Sequence, residues 1–220
     1  MNSELGTWNP EPVKGLSLFR CFLPLPAQQQ LWAQCDTLAH GAVPMYTPTV
    51  RGGRPMSVGM LCLGRHWNAL TYGYEPTRSD FDQAPAPPIP ASFRELAARA
   101  AEQAGFTFAP DICIVNYYNE TSRMGVHQDK DEQRDALEAG IPIVSVSLGD
   151  TARFVIGGLA RRDPTSPLML HSGDVLVMGG PSRLRFHGVT RILAGTAPEG
   201  TGPGRFNLTF RQYGLRPNEQ

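Results

Sequence analysis

No apolar run in these 220 residues is long enough to cross a bilayer, so no membrane span is expected. The opening Met1-Asn2-Ser3-Glu4 lacks the cationic and apolar regions of a secretory signal. Cysteine is sparse: Cys21, Cys35, Cys62 and Cys113 are scattered, with no C-x-x-C pair. That fits reduced thiols in a cytoplasmic protein better than a disulfide framework. Neither charge is in excess, at 20 basic and 20 acidic residues, which excludes a globally basic footprint for nucleic acid and makes any such contact local. Lysine is nearly absent, with only Lys14 and Lys130. Arginine suits phosphate recognition, although codon bias explains the same composition. The apolar content of 41% is too high for a disordered chain. The length fits one domain over 1–220, expected to act as a monomer.

What is present falls into helices first and strands later. Residues 1–15 read as a loose, proline-punctuated N-terminus, and 16–22 as a strand. Pro24 and Pro26 open a helix over 25–40, with Leu25, Leu31, Trp32, Cys35 and Leu38 at helical spacing. His40 closes it as a cation at a helix end. Residues 41–90 form a lid and connector rich in glycine, proline, methionine and aromatics, interleaved with Arg51, Arg54, Arg65 and His66. This stretch is either an irregular hairpin packing its aromatics on the core or a mobile cover that stacks on a flat ligand. A strand fits Met56 to Leu63, and Pro85 to Pro90 is a connector. Ser92 to Ala104 reads as a helix with Phe93, Leu96, Ala97, Ala100 and Ala104 on one face and Gly105 as its stop.

From Asp111 the pattern is β. Strands are expected at 112–118, 143–148, 153–156, 168–171, 175–178, 184–189 and 206–212, punctuated by Gly149-Asp150, Gly157-Gly158, Gly173-Asp174 and Gly179-Gly180. The fold class is therefore mainly β with flanking α. A jelly-roll, cupin-like core over 111–214 stands behind N-terminal helices and the lid.

Two features carry chemistry. His127 and Asp129 sit two apart, which in an extended segment places both on one side. An imidazole and a carboxylate are two thirds of a facial triad that leaves positions open on Fe(II). The third ligand has three candidates. His187 precedes Gly188, whose missing side chain would let a metal approach the backbone; His171 lies at a turn, where exposure is expected; His66 belongs to the lid. In the last strand Arg205, Asn207, Thr209 and Arg211 share one face, and Phe206, Leu208 and Phe210 the other. If the apolar face packs on helices, two guanidinium groups point into the barrel and need an anion, most simply a dicarboxylate. Asn116 and Tyr118 can donate to the same anion. The alternative is an edge strand with its arginines in water.

Taken in order, several segments resemble one family. They are His127-Gln128-Asp129-Lys130-Asp131-Glu132, Ser145-Val146-Ser147-Leu148-Gly149, Gly173-Asp174-Val175, Ser182-Arg183-Leu184 with His187-Gly188, and Arg205-Phe206-Asn207-Leu208-Thr209-Phe210-Arg211. Together they resemble the AlkB-type Fe(II)/2-oxoglutarate dioxygenases, in the bacterial DNA-repair branch, over about residues 16–214. The resemblance implies a double-stranded β-helix, with His127, Asp129 and His187 as iron ligands and Asn116, Tyr118, Arg205, Asn207, Thr209 and Arg211 around 2-oxoglutarate. It also implies a nucleotide-recognition lid, with Trp67, Tyr74, Asp131 and Arg161 as substrate contacts and Arg51 and Lys130 as phosphate contacts. Arg54-Pro55 departs from the more aromatic, polar pair expected there, and Gln133–Ala139 and Ala197–Gly204 look like chain-specific loops. The implied reaction is oxidative demethylation of 1-methyladenine- or 3-methylcytosine-type bases in DNA or RNA. It uses 2-oxoglutarate and O2 and yields succinate, CO2 and formaldehyde. The base would be single-stranded or flipped.

Two rival readings stand beside it. One keeps the iron chemistry and acts on a protein side chain or small molecule. The other is a non-catalytic cupin-like binding protein. Succinate release with and without methylated oligonucleotide separates the three.

Overall fold

The computed structural model describes residues 13–216. Residues 1–12 of the expected loose N-terminus lie outside the described residues. Strand β1 (Leu16–Phe19) leads into helix α1 (Leu25–Ala39). The lid follows with β2 (Thr49–Val50), β3 (Arg54–Pro55), β4 (Gly59–Leu63), β5 (His66–Asn68) and β6 (Gly73–Glu75). After helix α2 (Ala91–Gln103) come β7 (Ile112–Tyr118), β8 (Met124–His127) and the short α3 (Arg134–Glu138). The remaining strands are β9 (Ile143–Gly149), β10 (Thr151–Ile156), β11 (Ser166–Leu170), β12 (Val175–Met178), β13 (His187–Leu193) and β14 (Arg205–Arg211).

Two antiparallel sheets make the core. The major sheet runs β1-β12-β9-β14-β7-β4 and the minor one β11-β10-β13-β8. Side-chain alternation sorts the major sheet into two buried faces. Outward, Val115, Val144, Val146, Val177, Leu208 and Phe210 pack with Leu31 and Cys35 of α1 and Phe93, Leu96 and Ala100 of α2. Each such fully buried Leu or Phe contributes about 1.5–3 kcal/mol. Inward, Tyr118, Ile143, Leu176 and Met178 meet Phe154, Ile156, Leu168, Leu170, Val189 and Ile192 of the minor sheet. This two-sheet packing with helices on one face is the expected jelly roll.

Several boundaries differ from the sequence reading, each for a local reason. The first strand stops at Phe19, because Cys21 turns back at φ 52 and its N–H goes to Asp174. The strand expected at 184–189 begins only at His187; Leu184 to Phe186 lie in a turn whose Phe186 N–H bonds the Gly158 carbonyl. Strand β8 was not anticipated, nor was α3, which folds inside the loop expected over 133–139. The lid is also not wholly a cover. Strand β4 is built into the major sheet against β7, and its Leu61 and Leu63 join the helix-side core. The two small hairpins, β2-β3 and β5-β6, form the separate part. His40 caps α1 from an exposed position, as its place in the sequence suggests.

Candidate active site

Strand pairing assembles the candidate metal site. His127, the last residue of β8, lies opposite His187, the first residue of β13. Asp129 follows in the irregular segment beyond β8. One ligand atom from each of the three lies within 4.8 Å of the others. Both imidazoles are oriented by the backbone. His127 Nδ1 is 2.8 Å from the Gly125 carbonyl and His187 Nδ1 is 2.9 Å from the Arg185 carbonyl. A carbonyl only accepts, so each Nδ1 carries the proton and each Nε2 is left as the ligand atom. Those Nε2 atoms stand 3.4 and 3.5 Å from the two oxygens of Asp129. An N, O, N donor set on one side of a preformed barrel fits Fe(II) with coordination positions left open.

The competing histidines are elsewhere. His66 is fully buried 2.6 Å from Asp80 and beside the Tyr46 hydroxyl. His171 is exposed and contacts Thr151. The argument from Gly188 needs correcting. A Cβ there would meet the Met124 carbonyl oxygen at 2.7 Å and the Gly125 backbone at 3.1 Å, so glycine serves the close approach of β8 and not of a metal.

The inner face of the major sheet supplies a polar stripe. Register places Arg205 opposite Tyr118 and Asn207 opposite Asn116, with Ser145 and Ser147 on the other flank. Asn207 Nδ2 donates to the Ser145 hydroxyl at 2.8 Å, and Thr209 donates to Asn207 Oδ1 at 3.1 Å. All four polar residues of β14 are buried. Arg205 is the telling one: it is 1% exposed, and among the described residues its side chain bonds only Ser147 Oγ, at 3.0 Å, leaving Nε and Nη1 without a partner. Burial pulls its guanidinium down to about 10, against the opposing pull of the Tyr118 hydroxyl and Asp174, and burial lifts the Tyr118 phenol to about 12. A buried cation with unused donors calls for an anion. That observation fits one carboxylate end of 2-oxoglutarate.

Arg211, at the other end of the stripe, is differently placed. Its Nη2 is 2.8 Å from Asp129 Oδ1, its Nε 3.4 Å from Glu132, and its Nη1 bonds the Tyr74 hydroxyl. Burial lowers its affinity for the proton, but Asp129, Tyr74 and Glu132 outweigh this and hold the guanidinium firmly charged. Asp129 responds in kind. Burial would raise its carboxyl; Arg211 and the two imidazoles hold it well below the usual carboxylate range. For His127, burial opposes the proton, and the bonds to Asp129 and Gly125 overcome it, raising the imidazole.

Glu132 and Arg183 are functional-looking groups to which the sequence reading gave no role. Glu132 is buried between Arg211 and Arg183, with Arg183 Nη2 at 2.9 Å. Arg183 also donates to the carbonyls of Ile141 at 2.8 Å and Asp129 at 2.5 Å. These bonds tie the Asp129–Glu132 segment to the barrel. The segment is irregular, so no period in the sequence shows which of its charges turns inward.

The expected substrate contacts divide. Trp67 is half-buried and donates its indole N–H to Asp131 Oδ2 at 2.8 Å. Asp131 lies two residues beyond Asp129, so the lid meets the metal segment at this bond. Tyr74 is buried and its hydroxyl points to Arg211, inside the barrel mouth. Arg161 is exposed, with Nη1 3.4 Å from the Val126 carbonyl next to His127. Lys130 and Arg51 are exposed at the rim and on the lid. Arg54 and Pro55 form the exposed strand β3.

Comparison with known proteins agrees with this geometry. The family model of the 2OG-Fe(II) oxygenase superfamily matches residues 15–211. The chain is 40% identical to the alpha-ketoglutarate-dependent dioxygenase AlkB of Escherichia coli, covering 95% of each protein. It is 39% identical to DNA N(6)-methyladenine demethylase ALKBH1C of Arabidopsis thaliana, over 90% of this chain. It spans only about half the length of that plant relative, 48%. The solved structure of OsALKBH1 superposes with a TM-score of 0.86 at 39% identity, over 92% of this chain and 99% of that one. A matched model over most of the chain, and a bacterial relative aligned nearly end to end, lead to one conclusion: this chain belongs to the 2OG-Fe(II) oxygenase superfamily, as an AlkB-type dioxygenase whose family cofactors are Fe(II) and 2-oxoglutarate.

Proposed function

We propose that this chain removes N-alkyl groups from nucleobases of the 1-methyladenine and 3-methylcytosine type in DNA or RNA. The observation that carries this reading is the Trp67–Asp131 pair, an aromatic plane and a carboxylate held together two residues from Asp129. A cationic methylated base has both a face for the indole and an exocyclic amine for the carboxylate. The named activities of the relatives, DNA N(6)-methyladenine demethylase in Arabidopsis and nucleic acid dioxygenase in Homo sapiens, support the coarser class, methylated bases of nucleic acid.

In this reading His127, Asp129 and His187 would hold Fe(II), and Arg205 and Arg211 would take the two carboxylates of 2-oxoglutarate with Asn116, Tyr118, Asn207 and Thr209 around them. Bound there, iron and 2-oxoglutarate with O2 would supply the oxidation of the N-methyl carbon, as 2-oxoglutarate goes to succinate and CO2. The hydroxymethyl group then breaks its C–N bond, releasing formaldehyde and returning the electron pair to the ring nitrogen. The protein's own work is positioning. Trp67 stacks on the base, and Asp131 accepts from the exocyclic amine and offsets the ring's charge. Arg161, Arg51 and Lys130, all exposed, would meet phosphate. The base reaches the barrel from a single strand or by flipping. We place the enzyme in the cytoplasm as a monomer. All four cysteines are free, and no helix among the described residues is long and apolar enough to cross a membrane.

The test is turnover with Fe(II), 2-oxoglutarate and O2 over methylated DNA and RNA oligonucleotides, single- and double-stranded, reading repaired base and succinate together. Succinate release that no methylated oligonucleotide stimulates would return the reading to a protein or small-molecule hydroxylase.

A further inference from the structure

The lid carries side chains that the pocket does not use. Leu70 and Tyr72 stand at the tip of the β5-β6 hairpin, 44% and 43% exposed. The tip is tightly specified. Asn68 Oδ1 accepts from the N–H groups of Leu70 and Thr71 at 2.8 and 3.1 Å, and the Asn68 carbonyl accepts from Tyr72 N–H at 2.9 Å. Those bonds hold Tyr72 at φ 59, a left-handed conformation unusual for a bulky residue and rarely kept without a surrounding that over-determines it.

The tyrosine is coupled to both neighbouring parts of the lid. Its ring lies 5.7 Å from Trp67 at 69°, too steep to continue the plane of the indole. The Arg51 guanidinium, from the turn between β2 and β3, sits 5.6 Å from the ring centroid, and its Nε donates to the Leu70 carbonyl at 3.3 Å. Arg51 as a whole is exposed. An outward aromatic, an aliphatic neighbour and a cation thus adjoin the Trp67–Asp131 pair on one side.

We infer that Tyr72, Leu70 and Arg51 form a second nucleotide subsite, which takes the nucleotide adjoining the target in the same strand. Its base packs on Tyr72 and Leu70, and its phosphate meets Arg51. Aromatic faces accept any base, so the subsite adds affinity without reading sequence. A guanidinium beside the ring matches the charge that every such base brings with it. The inference rests on the nucleobase reading above and adds to it a preference for a strand over a lone nucleotide, which would leave this surface empty.

The test compares three ligands on the full chain, kept anaerobic with Fe(II) and 2-oxoglutarate so that nothing turns over. They are a 1-methyladenine mononucleotide, a pentanucleotide with 1-methyladenine at its centre, and the same pentanucleotide with abasic flanks. Tyr72→Asn removes the ring, and asparagine tolerates the positive φ. It is expected to weaken the intact pentanucleotide by about tenfold, within the range of one base–aromatic stack, and to leave the mononucleotide unchanged. Abasic flanks should weaken binding to the parent by the same factor and to Tyr72→Asn no further, and Tyr72→Phe should restore parent affinity. Arg51→Ala should lower the salt slope of pentanucleotide binding by about one. Equal losses on mononucleotide and pentanucleotide would overturn the subsite, since Tyr72 would then act only through Trp67; so would an unchanged pentanucleotide affinity. A parent that releases formaldehyde from none of these ligands in air overturns the nucleobase reading itself, a different outcome from parent activity that is blind to Tyr72.

Discussion

The indole N–H of Trp67 reaches Oδ2 of Asp131 at 2.8 Å, so the lid is bonded to the segment that carries Asp129 before any base arrives. The bond uses the indole edge and one carboxylate oxygen. The two proposed substrate contacts are thus oriented by each other.

The first prediction follows from that pairing. Trp67→Ala is expected to slow repair about tenfold to a hundredfold, the worth of one base–aromatic stack, while 2-oxoglutarate turnover without repair survives. Asp131→Ala should be selective, hurting 1-methyladenine and 3-methylcytosine more than lesions lacking an exocyclic amine or positive charge. Single-turnover repair on matched oligonucleotides, with succinate read in parallel, checks both. Parent rates in Trp67→Ala would make Trp67 a packing residue.

Asp129→Ala should abolish turnover and weaken Fe(II) binding while the far-UV spectrum stays native. Arg211 keeps Tyr74 and Glu132 as partners when Asp129 is lost, and the barrel core does not include the carboxylate. Activity recovered by added Fe(II) would remove Asp129 from the ligand set.

The two arginines of β14 should behave oppositely in the metal-free, cosubstrate-free protein. Arg205 forms no ion pair among the described residues, so Arg205→Met removes an uncompensated buried charge and should leave the melting temperature unchanged or raised. Arg211→Met strands Asp129 and Glu132 and should cost about 3–5 kcal/mol, the usual price of breaking a buried pair. Both should lose the melting-temperature rise that 2-oxoglutarate gives the parent. Equal destabilisation by both would mean that Arg205 is paired.

Acid should erase part of the Arg211 effect. The Asp129 carboxyl is depressed in the folded state, chiefly against burial by Arg211 and the imidazoles. Its contribution is therefore complete above the unfolded value of about 3.9 and disappears as pH falls through the lower folded value. Urea unfolding of the metal-free parent and Asp129→Asn should diverge at neutral pH and converge in strong acid. A constant gap across that range would detach Asp129 from the stability of the site.

Much of the site was legible because strand periodicity exposes it. The face of Arg205, Asn207, Thr209 and Arg211 stands out on β14 because Phe206, Leu208 and Phe210 show that the other side is also buried. His127 and Asp129 were visible as a pair, although only His127 is on a strand. Local spacing left His187 as one of three candidates and only the resemblance singled it out; the register of β8 against β13 then sets it opposite His127. Strand β8 is four residues long and contains Gly125, too short a pattern to stand out. Glu132 and Arg183 stayed hidden for a different reason: a buried ion pair in irregular chain looks, residue by residue, like solvated charge.

The pairing of His127 with His187 across β8 and β13 means that strand register brings the candidate ligands together. A slip of β8 by one residue would turn His127 to the opposite face and dissolve the ligand set. On the proposed ligand set, iron would then bind only the correctly zipped edge, and so would favour the native register over its neighbours.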